Sequence, residues 1–89
     1  MPSRAVEVQN MKGLHARASA KFVTIAAQID AAIEVEKDGN KVCGTSIMGL
    51  MMLGAAKGDT ITISATGFGA EQAVDRLCAL VEALFDEEQ

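Results

Sequence analysis

The chain has 89 residues, 49% of them apolar, and a net charge of −4, which suits one domain, residues 1–89, around a single core. It contains no tryptophan or tyrosine, so base stacking has no platform, and its acidity argues against nucleic acid as a partner. The opening MPSRAVEVQN carries no apolar signal region, and the longest uncharged run, Val42 to Ala56, is too short and too glycine-broken for membrane insertion.

Arg4 to Gln9 alternates, with Val6 and Val8 on one face and Ala5, Glu7 and Gln9 on the other, which predicts a half-buried strand. Asn10 to Leu14 reads as a loop. From Ala16 to Gln28 the positions Phe22, Val23, Ala26 and then Ile29 follow helical spacing. Ala32 to Lys37 alternates again, Ile33 and Val35 inward, Glu34 and Glu36 outward. Asp38-Gly39 signals a tight hairpin returning through Asn40 to Cys43.

Ser46 stands before the apolar run Ile47-Met48-Gly49-Leu50-Met51-Met52-Leu53, as an N-cap stands before a short helix. With Leu50 and Leu53 inward, Ile47, Met48, Met51 and Met52 are left partly exposed. Thr60 to Thr66 is the clearest strand, with Ile61, Ile63 and Ala65 on one side; Gly67 and Gly69 end it. Glu71 to Phe85 reads as an amphipathic helix whose stripe is Val74, Leu77, Cys78, Val81, Leu84 and Phe85, and DEEQ at the C-terminus reads as its solvated end. The order β-α-β-β-α-β-α, with one-sided strands, predicts an α+β fold: an antiparallel sheet covered by helices on one face.

Cys43 and Cys78 lie far apart with no CxxC, and a single histidine completes no usual zinc spacing. No metal site is expected. Both thiols read as reduced and buried, in a cytoplasmic protein.

The one histidine, His15, lies in GLHARAS at the junction of loop and first helix. A helix N-terminus offers unpaired N–H groups and a partial positive charge, and so welcomes phosphate. Between Val8 and Ile29 there are three cations, Lys12, Arg17 and Lys21, while all twelve acids lie outside. An imidazole placed there can act as a nucleophile. No second catalytic group activates water, which fits a residue that accepts a phosphoryl group and keeps it. A solvated loop histidine near a helix start has the same local sequence, so this motif alone leaves both readings open.

GLHAR before an amphipathic helix resembles the active-site motif of the histidine-containing phosphocarrier (HPr) family of the bacterial phosphoenolpyruvate-dependent phosphotransferase system. TSIMGLMML, Thr45 to Leu53, resembles that family's regulatory serine and docking helix. The resemblance covers nearly the whole chain. It implies an open-faced β-sandwich of four antiparallel strands with three helices on one side, and a monomer that needs no cofactor. It implies that His15 takes a phosphoryl group from phosphorylated enzyme I and passes it to IIA domains or a regulatory acceptor, as a stoichiometric carrier and not an enzyme. Arg17 and the backbone at Ala16 would hold the phosphate. Ser46 would be the target of an HPr kinase/phosphorylase, and docking would use Ile47, Met48, Met51 and Met52 with Ala20 and Thr24.

Two departures stand out. Many family members have proline where this chain has Ala18, which should loosen the helix start. Ser19 is polar on the apolar stripe, where it can bond back to the backbone. Competing readings are a carrier of the nitrogen-related branch without sugar transport, a ferredoxin-like small-ligand regulatory module, and a small independent enzyme. The last is disfavoured by the lack of a second catalytic group near His15.

Overall fold

Period-two alternation becomes strand, although the first strand begins at Ser3 and ends at Glu7, short of the expected Gln9, and the chain after Val8 turns away into the loop. In the computed structural model, which describes residues 1–86, β1 (Ser3–Glu7), β2 (Ala32–Lys37), β3 (Asn40–Cys43) and β4 (Thr60–Thr66) form one antiparallel sheet in the order β1-β4-β2-β3. The register pairs Val6 with Ile61, Val35 with Ile63 and Ile33 with Ala65. All six are buried, so one face of the sheet is apolar and covered. The helices α1 (Ala16–Ala26), α2 (Ile47–Met52) and α3 (Ala70–Glu82) supply the cover. The other face stays open, as antiparallel sheets allow.

The core closes where Phe22 of α1, Leu50 of α2, and Leu77 and Val81 of α3 meet Val8, Val35, Ile61 and Ile63, all fully buried. Each such side chain contributes about 1.5–3 kcal/mol by leaving water. The β2–β3 turn takes Asp38 and Gly39 at φ 52° and 84°, the left-handed pair that a two-residue hairpin requires.

Helix ends depart from the sequence expectation. Helix α1 stops at Ala26 with Ala27 as its C-cap, and Ile29 reaches the core from the following loop. Helix α3 stops at Glu82. A 3-10 turn, Leu84–Asp86, follows, with Leu84 and Phe85 at φ 60° and 54°. This left-handed reversal carries the Phe85 ring back into the core, where it is 1% exposed, and leaves Leu84 only partly buried, off the predicted stripe. Burying the ring offsets the strain of two non-glycine residues at positive φ. The solvated tail expected from Asp86 onward falls at residues 87–89 outside the described residues.

Cys43 is also corrected: it is exposed, whereas Cys78 is buried, and both are free thiols. Cys43 pairs with Glu34, and side chains alternate along a strand, so it shares the open face with that carboxylate. Its thiol lies 3.1 Å from the Thr45 hydroxyl. Hydrogen bonding from the Thr45 side chain and backbone holds its pKa below the ordinary thiol value, while burial pushes that of Cys78 up.

Candidate functional site

The approach to His15 is fixed residue by residue. After β1, Val8 keeps strand contact through its N–H to the Asp59 carbonyl (2.8 Å) and its own carbonyl to the Gly58 N–H (2.7 Å). The chain then turns, Gly13 N–H donating to the Asn10 carbonyl at 3.2 Å. Gly13 has φ +63°, and a Cβ there would lie 2.2 Å from the Ala55 carbonyl oxygen, so only glycine lets the two segments meet. That approach allows the Leu14 N–H to donate to the same carbonyl at 3.0 Å. The Leu14 side chain is buried beneath the loop.

His15 is the N-cap of α1, with φ −75° and ψ −179°, and its Nδ1 accepts the Arg17 N–H at 3.2 Å. An imidazole thus does what serine or aspartate usually does at this position. A nitrogen that accepts an N–H carries no proton itself, so in a neutral ring the proton sits on Nε2. The first turn of α1 contains no acid, so nothing within it offsets the positive end of the helix. The His15 ring is half-buried, and Ala16 and Arg17 are exposed. Lys12 and Lys21 are exposed as well. Arg17 forms no ion pair with any described residue.

Helix α2 packs against α1. Ser46 is its N-cap, Oγ accepting the Gly49 N–H at 2.9 Å. Leu50 and Leu53 face inward. Ile47, Met48, Met51 and Met52 are exposed, Met48 and Met52 at 72% and 79%, so α2 is not wrapped into the core. On α1, Thr24 is exposed and donates its hydroxyl to the Ala20 carbonyl at 2.9 Å, while Ala20 itself is only partly exposed.

Ser19 is fully buried and bonds back, as its place on the stripe suggests, but its acceptor is the Leu14 carbonyl, at 3.2 Å, ahead of the cap. Sequence reading missed Asn10. It too is fully buried, and its Nδ2 donates to the Gly13 carbonyl at 2.9 Å. The signal was available, because Asn10 continues the inward parity of Val6 and Val8. Among the described residues no group of three metal-ligating side chains forms, and no helix is long and apolar enough to cross a membrane.

Comparison with known proteins agrees with this arrangement. A family model described as the PTS HPr component phosphorylation site matches residues 2–83. The phosphocarrier protein NPr of Shewanella violacea is 43% identical over 84 residues, covering 94% of this chain and 92% of that protein. The phosphocarrier protein HPr of Neisseria meningitidis serogroup A is 42% identical over 87 residues, covering 98% of each. The crystal structure of HPr-C-His from Thermoanaerobacter tengcongensis superposes with a TM-score of 0.95 at 43% identity, covering all of both chains.

Proposed function

The chain belongs to the HPr family of phosphocarrier proteins, and from that premise we propose that it carries a phosphoryl group on Nδ1 of His15, received from phosphorylated enzyme I and passed to IIA-type acceptors in the cytoplasm. The observation that carries this reading is the bond between His15 Nδ1 and the Arg17 N–H at the open end of α1. That bond aims one ring nitrogen at the group of donors able to hold an anion.

The transfer balances without water or a proton. The Nδ1 lone pair attacks phosphorus in line with the donor's N–P bond. That bond breaks, its electron pair stays on the donor imidazole, and a new N–P bond forms on His15. Once the lone pair is used, the Arg17 N–H no longer has an acceptor on the ring, and a phosphoryl oxygen takes its place. The Ala16 N–H and the exposed Arg17 guanidinium add charge-assisted bonds to the same group. Donor and acceptor are both imidazoles, so the step needs alignment more than driving force.

Alignment is the task of the surface around the site. Ile47, Met48, Met51 and Met52 form an apolar patch on α2, rich in methionines that adapt to more than one partner. Thr24 and Ala20 continue it onto α1. Phosphorylation of Ser46 by an HPr kinase would keep an acceptor oxygen at the cap while placing negative charge beside Ile47 and Met48, weakening docking to acidic partners.

Intact mass after incubation with phosphoenolpyruvate and enzyme I tests the reading. One added phosphoryl group, lost in brief acid and absent from His15→Ala, is the expected result. An unchanged mass beside an active enzyme I would refute it. Offering the phosphorylated chain to IIA domains of the sugar and nitrogen branches then identifies the acceptor.

A further inference from the structure

Among the described residues, two polar side chains lie fully inside the molecule, Asn10 and Ser19, both at 0% exposure. They come from different elements, one from the loop after β1 and one from the second turn of α1. Yet their side chains donate to consecutive carbonyls. Asn10 Nδ2 takes Gly13 O at 2.9 Å and Ser19 Oγ takes Leu14 O at 3.2 Å. These are the two peptides that lead directly into His15.

Polar side chains in an apolar core are unfavourable unless bonded, so both residues are held to these acceptors. Backbone contacts complete the grip: the Leu14 N–H on Ala55 O at 3.0 Å, and the Ser19 N–H on His15 O at 2.9 Å. The Leu14–His15 peptide is therefore fixed on both sides. Ser19 thus holds the carbonyls on both sides of His15, and the rotation about the His15 Cα–C bond between them, together with the torsions of the ring itself, decides whether Nδ1 meets the Arg17 N–H.

We propose that Asn10 and Ser19 form a two-point clamp that positions the imidazole of His15 for phosphoryl transfer. They are positioning residues, since they bond the backbone that leads into His15, while the reacting nitrogen accepts the Arg17 N–H. Ser19 acts at the helix start, where alanine at position 18 leaves the backbone less restrained than proline would. The inference rests on the phosphocarrier reading for its kinetic consequence and on geometry alone for its structural one.

The test uses Ser19→Ala, Asn10→Ala and, as a stability control, Leu80→Ala on α3, a buried residue remote in sequence from the His15 loop. Two quantities are read at a temperature where all variants are folded: the nitrogen NMR shifts of the His15 ring, and kcat and KM for phosphorylation by enzyme I. A displaced nucleophile loses rate steeply, on the order of tenfold or more for a shift below an ångström. Ser19→Ala should lower kcat about tenfold with KM unchanged, since no docking residue is altered, and should move the Nδ1 resonance as its hydrogen bond loosens. Asn10→Ala should act in the same direction, and Leu80→Ala should do neither. The proposal is overturned if Ser19→Ala keeps both wild-type kcat and the wild-type Nδ1 shift, or if Leu80→Ala reproduces both changes. If the wild-type chain takes no phosphate at all, the carrier reading has failed, and the NMR arm still decides whether the clamp holds the ring.

Discussion

Replacing Gly13 by alanine separates two penalties that glycine positions usually mix. The first is conformational. Gly13 has φ +63°, and a Cβ in that region costs about 1–2 kcal/mol. The second is contact. The added Cβ would lie 2.2 Å from the Ala55 oxygen and 2.9 Å from the Ala56 Cα, roughly an ångström or more inside ordinary contact. Both neighbours are backbone, so the loop must retreat as a unit. Retreat breaks the bond from the Leu14 N–H to Ala55 and strands a buried amide, a further loss of about 1–3 kcal/mol. Gly54 provides the matched control, with φ +66° and no atom within 4 Å of the place a Cβ would occupy. Urea unfolding followed by far-ultraviolet circular dichroism should show Gly54→Ala destabilised by about 1–2 kcal/mol and Gly13→Ala by about 2–5 kcal/mol. Losses equal within error in the two variants would refute the reasoning, because the close approach to Ala55 would then contribute nothing.

The cap on α2 yields a smaller effect: Ser46→Ala removes the acceptor of the Gly49 N–H and should cost about 1 kcal/mol, read as a lower urea midpoint, while His15 still takes up phosphate. On the same helix, Met48→Ala, at a 72% exposed site, should change stability by less than about 0.5 kcal/mol yet raise the KM for enzyme I several-fold. Leu50→Ala, at a fully buried site, should cost about 2–5 kcal/mol. The thiols should separate cleanly, with iodoacetamide labelling Cys43 in the native protein and Cys78 only after unfolding. Because hydrogen bonding to Thr45 lowers the Cys43 pKa, its thiolate forms at lower pH than an ordinary cysteine's. Thr45→Val should shift the pH–rate profile for labelling upward, as followed by mass spectrometry.

The strands were the most legible part of the chain. The segments 32–37 and 60–66 emerge at the bounds that alternation predicts, because a period of two beside a one-sided core fixes which residues face inward, and 40–43 emerges where the Asp38-Gly39 turn returns the chain. Helix ends were less legible, since tertiary burial overrides local spacing there. Ile29 keeps the helical rhythm but is buried from a loop, and Phe85 keeps it but enters the core through a left-handed turn with no glycine to announce it. Residue type alone misplaces Cys43; its parity with the charged Lys41 already puts it on the open face. Around the candidate site, the helix-capping places of His15 and Ser46 were legible because each is a local motif. The partnership of Asn10, Ser19 and Ala55 was not, because it joins three segments whose meeting depends on the finished fold.

The sheet order has a consequence for synthesis. Strand β1 pairs with β4 and no other strand, and the Leu14 amide is anchored on Ala55. A chain leaving the ribosome can close its β2–β3 hairpin early, through local contacts that need little loop closure. Residues 3–7 must wait, with no strand to pair with, until residues 60–66 have emerged. Throughout that interval His15 is already translated but has neither a strand behind its loop nor an anchor for it. The proposed phosphoryl site is therefore among the last features of the nascent protein to assemble, and an incompletely synthesised chain contains the histidine without the finished loop around it.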